Sequence, residues 1–347
     1  MSLPRRMTGP WTLKDAYMPK NAGTVFSCFA CAGGSTMGYK LAGFDVIGCN
    51  EIDPKVFAVY NANHNPKHAF VCSIRDMLSM DLPDEMFSLD ILDGSPPCTS
   101  FSVAGVRDRD WGRTKKFNEG QAHQRLDDLF FEFIALAKRL QPKIVISENV
   151  TGIVMGKAKG YVKEIIGGLD DAGYHTQIFT LNAAQMGVPQ ARRRVFFLSR
   201  RKDLGLPRVR LKFNEKVISF SNACSTLAKP TEKCDLGPLQ AKLWGRVNQG
   251  QQLSKAHPRK QMWNHTRVAA AKPVPTLPAN AAAILHPTIP RMLSVDEWIA
   301  CSSFPTDMKF PGANTPSKRK WFLGMSVPPF MVQRIALEVR KQWMGHA

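Results

Sequence analysis

Apolar and polar positions fall into two regimes along this chain. From about residue 24 to residue 200, short apolar runs alternate with stretches whose apolar residues recur at helical spacing. A run such as Ile144-Val145-Ile146 is β-branched and too short for a helix, so it predicts a buried strand. Leu129, Phe130, Phe133, Ile134, Leu136 and Ala137 instead mark one face of a helix. On this reading residues 24–29, 45–49, 89–93, 142–150, 176–181 and 195–199 are strands, and residues 35–41, a segment opening at Pro54, 127–140 and 161–172 are helices. Strands that alternate with helices build a mostly parallel sheet covered on both faces. The alternation stops near Lys202. Residues 205–272 are rich in Pro, Gly, Gln, Asn and basic side chains, with a strand-like piece at 209–213 and single aromatics at Trp244 and Trp263, which predicts a small second domain. Helical patterning returns at 291–304, where Ser294 and Glu297 have capping-box spacing, and in a last amphipathic helix that ends at Trp343. Residues 1–23 are polar, basic and punctuated by proline, an arm that packing of Trp11 and Tyr17 could order.

Composition narrows the class of partner. The 347 residues are enough for one large domain or two unequal ones. With 47 Lys and Arg against 28 Asp and Glu, the net charge of +19 favours a polyanion such as nucleic acid, although solubility and acidic membrane surfaces use the same charge. The 8 cysteines show no disulfide framework, and the first six residues lack an apolar leader, as expected of a protein from a reducing compartment. No membrane span is expected, because the apolar residues 129–137 are interrupted by Glu132 and followed by Lys138 and Arg139. Nor is a metal site expected. Cys28 and Cys31 have redox-motif spacing without other support, and Pro66 separates His64 from His68.

Candidate chemistry gathers where the strands end, the edge at which open α/β sheets bind ligands. The first strand breaks at Ala30-Cys31-Ala32-Gly33-Gly34, a small-residue turn whose backbone N–H groups can approach an anionic or zwitterionic ligand. After the second strand, Asn50-Glu51-Ile52-Asp53 offers Glu51 to ribose hydroxyls and Asp53 as a helix cap. Next, the run at 89–93 leads into Gly94-Ser95-Pro96-Pro97-Cys98-Thr99-Ser100-Phe101-Ser102, a stiff turn carrying a thiol. Glu148 closes the strand at 142–150, and Gln190-Ala191-Arg192-Arg193-Arg194 precedes another, with Arg192 and Arg194 alternating to one side and Arg193 left for solvent or phosphate. The polar, Gly-spaced residues 103–124 form a loop that could close over a substrate phosphate backbone.

These motifs resemble, in order, those of the DNA (cytosine-5) methyltransferases of bacterial or phage type: Phe-Ala-x-x-Gly-Gly, Asn-Glu-x-Asp, the Pro-Cys segment with its Ser-Phe-Ser, Glu-Asn-Val and Gln-x-Arg-x-Arg. The resemblance implies an α/β fold, a doubly wound S-adenosylmethionine-dependent methyltransferase (Rossmann-like) sheet with a small, mostly irregular or β target recognition domain. Residues 1–23 would be an arm, 24–204 the catalytic domain, approximately 205–290 the recognition domain, and 291–347 a return to the catalytic domain. S-adenosylmethionine, with no metal, would be held by Phe29, Ala30, Gly33, Gly34, Glu51, Ile52, Ser73, Ile74, Pro97, Ser326 and Val327. Cys98, Glu148, Arg192 and Arg194 would be the catalytic group: the thiolate adds to carbon 6 of a flipped cytosine while Glu148 protonates or hydrogen-bonds ring nitrogen 3, and carbon 5 is then methylated.

In the recognition domain Arg246, Asn248, Gln249, Gln251, Arg259 and Asn264 have side chains suited to reading bases, and residues 272–277 would pack that domain on the catalytic one. The implied partners are double-stranded DNA and a cognate restriction endonuclease, with the protein a cytoplasmic monomer. This chain departs from the family pattern at Ser27, Cys31, Ser73 and Met325. Two alternatives stay open: a tRNA cytosine methyltransferase on the same scaffold, and a catalytically silent DNA-binding relative. A dinucleotide oxidoreductase fits less well, since Gly-x-Gly-x-x-Gly is missing.

Overall fold

The computed structural model describes residues 4–16, 19–97, 114–115, 124–125, 129–279 and 283–345. Its first half runs β1 (Thr24–Cys28), α1 (Gly34–Leu41), β2 (Asp45–Asn50), α2 (Pro54–His64), β3 (His68–Phe70) and β4 (Ile91–Gly94). Two short strands, β5 (Thr114–Lys115) and β6 (Gln124–Arg125), pair antiparallel within the segment expected as a loop. Then come α3 (Leu129–Leu140), β7 (Ile144–Val150), α4 (Lys159–Asp171), β8 (Tyr174–Asn182), β9 (Gln190–Ala191) and β10 (Arg193–Arg201). Seven strands form one sheet in the order β3-β2-β1-β4-β7-β10-β8, parallel except for β10, which lies antiparallel to both of its neighbours.

Alternation along the strands feeds a core on each face. Val25, Ile91, Ile144, Ile146, Phe196 and Leu198 pack toward α1 and the C-terminal helices. Phe26, Leu92, Val145, Val195 and Phe197 pack toward α3 and α4. The sheet is therefore doubly wound, as the pattern predicted. Asp53 caps α2 as expected, accepting from the backbone N–H groups of Lys55 and Val56.

The second half is sparser in regular structure. It holds α5 (Phe220–Ala223), α6 (Pro238–Trp244), β11 (Thr266–Arg267), β12 (Val274–Pro275) and β13 (Ile284–Leu285), and β11 pairs parallel with β13. Leu243, Val247, Leu253, Ala283 and Leu285 make a separate small core. Residues 209–213 are not a strand. Both backbone groups of Val209 are taken by the Gln177 side chain, at 2.9 and 3.0 Å, so they have no need of a ladder partner.

The chain then returns to the main core through α7 (Val295–Cys301), α8 (Pro316–Met325) and α9 (Pro329–Trp343). The Ser294/Glu297 capping box forms. Helix α8 was not expected, although Thr315 as N-cap with Pro316 at the first helical position is a start signal. The arm is pinned to this C-terminal layer. Trp11 is 2% exposed and donates to the Ser303 carbonyl, and Met7 N–H donates to Gln333. Tyr17 lies outside the described residues. Among the described residues, no helix is long and apolar enough to cross a membrane.

Candidate functional site

Two turns open side by side at the carboxyl edge of the sheet, one after β1 and one after β4, because Cys28 pairs with Gly94 in register. The β1 turn is strained: Phe29 and Cys31 have φ of 53° and 48°, in the left-handed region that non-glycine residues avoid. Such strain persists where the surroundings over-determine it, and clusters at active sites, ligand clamps and switch regions. Here Cys31 N–H donates to Glu51 Oε2 at 3.0 Å, and Asp53 N–H donates to Glu51 Oε1 at 3.1 Å. The Glu51 carboxylate thus ties the end of β2 to the β1 turn while each oxygen keeps a second lone pair. Burial, partly offset by those hydrogen bonds, raises its carboxyl to about 7.

Glycine is required at the next two positions. A Cβ on Gly33 (φ 81°) would sit 2.1 Å from His64 Nε2, and one on Gly34 would sit 2.0 Å from the Val327 carbonyl oxygen. The second contact brings Ser326 and Val327, distant in sequence, onto the turn, where Ser326 Oγ also accepts from Ala32 N–H at 3.4 Å. Around this cradle Phe29 packs at a tilt on Phe133 with ring centroids 6.5 Å apart, and Ala30 and Ile74 are buried. Asn50 Nδ2 donates to the Phe70 and Cys72 carbonyls, which draws Ser73 toward the same edge. Ile52 and Pro97 are half-buried at the ends of their turns. Of the residues expected to hold a cofactor, Phe29, Ala30, Gly33, Gly34, Glu51, Ser326 and Val327 therefore meet at one strained turn.

The second turn leads to the thiol. Gly94 packs against the Phe133 ring, and Asn149 Nδ2 donates to the Pro96 carbonyl at 3.2 Å, fixing the chain just before Cys98. Cys98, with most of the following polar loop, lies outside the described residues. Glu148 is on β7, next to β4, and Arg194 is on β10, next to β7. Arg194 Nε lies 2.9 Å from Glu148 Oε1, an ion pair with both side chains largely buried. Yet no donor hydrogen is aimed closely enough to make a hydrogen bond, so buried Oε1 has lone pairs to spare.

Arg192 has a different task from Arg194. It is 3% exposed and donates to the Leu277 carbonyl at 3.3 Å and the Gly324 carbonyl at 3.0 Å. Burial, with Arg194 nearby, holds its guanidinium below the usual arginine range. It anchors residues 272–277 beside β9, where β12 pairs with Gln190 and Ala191 and Thr276 Oγ1 donates to the Ala191 carbonyl. Arg193 is exposed.

One acid escaped the sequence reading. Asp93 is 5% exposed and accepts from Ser27 Oγ at 2.9 Å and Tyr39 OH at 3.1 Å, joining β1, α1 and β4 directly beneath both turns. The only signal was its place at the end of an apolar run. Burial is the main cause of a carboxyl raised from 3.8 to about 7; the two hydroxyls lower it and nearby Glu148 raises it. An acid whose carboxyl is raised on folding stabilises the native state most below its unfolded value, and that contribution is lost as pH rises through the folded value. Asp93→Asn, which cannot ionise, should therefore gain stability relative to wild type between pH 4 and 7 and level off above, by at most roughly 4 kcal/mol. Denaturant midpoints of the two proteins at several pH values check this. Parallel curves would mean that Asp93 ionises in the fold without penalty.

Among the described residues no three His, Cys, Asp or Glu side chains group as a metal site. A family model described as C-5 cytosine-specific DNA methylase matches residues 23–341. The chain is 36% identical over 181 residues to the Type II methyltransferase M.NgoPII of Neisseria gonorrhoeae, covering 52% of this chain and 48% of that protein. It is 28% identical over 340 residues to the Type II methyltransferase M1.HphI of Haemophilus parahaemolyticus, covering 92% and 87%. The chain spans about half the length of the first curated relatives that it matches. Among solved structures, a putative DNA modification methyltransferase encoded within an Escherichia coli prophage superposes with a TM-score of 0.66 at 21% identity, covering 92% of this chain and 99% of that one. A Spodoptera frugiperda DNMT2 mutant gives 0.64 at 16% identity, covering 90% and 98%. At those identities the likeness shows the fold.

Proposed function

The chain belongs to the C-5 cytosine-specific DNA methylase family, and we propose that it methylates carbon 5 of a flipped cytosine in duplex DNA, at a specific short sequence. The observation that carries this reading is Glu148: a buried carboxylate, paired with Arg194, whose Oε1 has no hydrogen-bond donor, one strand from the turn that leads to Cys98. A carboxyl group in that state suits ring nitrogen 3 of cytosine, which needs a proton or a donor when a nucleophile adds at carbon 6. Cys98 is the nucleophile. Its addition makes carbon 5 electron-rich, and after methylation the carbon-5 proton leaves and the thiolate is expelled. Arg194 orients Glu148, and Arg192 positions the strand that carries Arg194.

The cradle fits S-adenosylmethionine, which when bound supplies an electrophilic methyl group. Glu51 would accept from the ribose hydroxyls, Phe29 would lie against the adenine, and Ser73 and Ile74 would border it. Gly33 and Gly34 would line the methionine end, with Ser326 and Val327 closing it and Ala30, Ile52 and Pro97 completing the wall. Residues 205–290 would read the target sequence, with double-stranded DNA as the partner. A cognate restriction endonuclease, action as a monomer and a cytoplasmic location belong to the same proposal.

Incubating duplex DNA with S-adenosylmethionine and the protein, then mapping methylated cytosines at base resolution, tests it. Methylation at carbon 5 within one short recurring sequence is expected. Duplex left unmodified while tRNA is methylated would overturn the duplex assignment.

A further inference from the structure

From Leu236 to Val295 the chain runs for sixty residues without one Asp or Glu, yet it carries eight Lys and Arg. Lys260 Nζ donates to the Lys255 carbonyl at 3.4 Å, and two of the other cations are used internally. Arg267 lies 3.8 Å over the Trp244 ring and donates to the Val247 and Pro287 carbonyls, and Arg291 makes a two-pronged pair with Glu297. Arg246, Lys255, Arg259 and Lys260 are exposed, with no carboxylate from their own segment to balance them.

Within this segment residues 257–265 form a tied turn. Lys260 N–H donates to the His257 carbonyl, His265 N–H to the Met262 carbonyl, and Leu253 N–H to the His265 carbonyl. Lys260 and Met262 have φ of 54° and 59°. Met262 turns inward onto the small core, while Trp263 is left 55% exposed. A lone exposed apolar residue needs no explanation. An exposed indole three and four residues from two exposed cations in one tied turn, on a segment without a negative charge, is a different case. Those features match the two parts of a nucleic acid, a π-faced base and its phosphates.

We propose that Trp263 stacks on a base of the DNA substrate while Arg259 and Lys260 hold the adjoining phosphates. This rests on the methyltransferase reading above. Extrusion of the target cytosine unstacks its neighbours and exposes the base faces that an indole can cover. Such stacking is sequence-tolerant, so Trp263 contributes affinity for the opened duplex rather than choice of sequence.

The test uses the full chain and a methylatable duplex. Trp263→Ala should weaken duplex binding by roughly 5- to 150-fold, and Trp263→Phe by much less, with the melting temperature of each unchanged because the side chain is exposed. Wild-type tryptophan emission should fall on binding, and that change should be missing in Trp263→Phe. The double variant R259A/K260A should make the salt dependence of binding shallower, its log–log slope dropping by about two. Undiminished binding by Trp263→Ala, or wild-type emission that DNA does not alter, overturns the stacking role; an unchanged slope overturns the phosphate contacts. If wild type itself neither binds nor methylates duplex DNA, the methyltransferase reading fails. If wild type does both and Trp263→Ala binds equally well, only the inference about Trp263 falls.

Discussion

Cys98→Ser is expected to abolish methyl transfer and to leave duplex binding within a few fold of wild type. A serine hydroxyl keeps nearly the shape of the thiol but has almost no anion at neutral pH, whereas a thiol needs only a modest fall from about 8.5 to become a strong nucleophile. The described structure leads up to this residue: β4 ends at Gly94, Pro96 is held by Asn149, and Pro97 removes a backbone donor. The substitution alters none of those contacts, so binding and chemistry should separate. A second measurement isolates the covalent step. With S-adenosylmethionine present, methyl transfer to a target cytosine that carries fluorine on carbon 5 leaves no proton there to remove, so the thiolate cannot be expelled and wild type should remain bonded to the duplex through denaturing electrophoresis. Cys98→Ser should not. Full activity in the serine variant would sink the assignment of the nucleophile.

The strands, the doubly wound arrangement and the grouping of Glu51 with Gly33 and Gly34 were legible because each rests on local pattern: an apolar run, a turn, a cap. What stayed hidden depends on distant partners. Arg192 reads like its neighbours, but its acceptors are 85 and 132 residues away, so nothing nearby shows that its Nη1 donates to backbone carbonyls. Asp93 ends an apolar run and finds its hydroxyls on Ser27 and Tyr39, more than fifty residues earlier. Residues 209–213 have β character, but a single glutamine side chain supplies the pairing that a neighbouring strand would have given. Helix α8 was missed for another reason. Its Lys-Arg-Lys run and Gly324 weaken the apolar periodicity, leaving only the Thr-Pro start to mark it.

Glu148→Gln should lower the single-turnover rate of methylation by roughly 10²- to 10⁴-fold, the range expected when a positioned proton donor is lost. Glutamine preserves the size and planarity of the side chain but cannot pass a proton to ring nitrogen 3, so under the proposed mechanism the charge developing on addition of Cys98 to carbon 6 would have nowhere to go. The ion pair with Arg194 is lost as well, and the guanidinium then repels an amide N–H in the half of rotamers that face it. Equilibrium binding of S-adenosylmethionine should change little, because Glu148 lies two strands from the Gly33–Gly34 turn, across β4. Binding of the extruded base should weaken less than the rate, since an amide can still reach the ring edge with one hydrogen bond. A variant that keeps the wild-type single-turnover rate would remove Glu148 from the chemistry and reduce its pairing with Arg194 to a structural contact. Equal losses in base binding and rate would instead make it a residue that holds cytosine without assisting the addition.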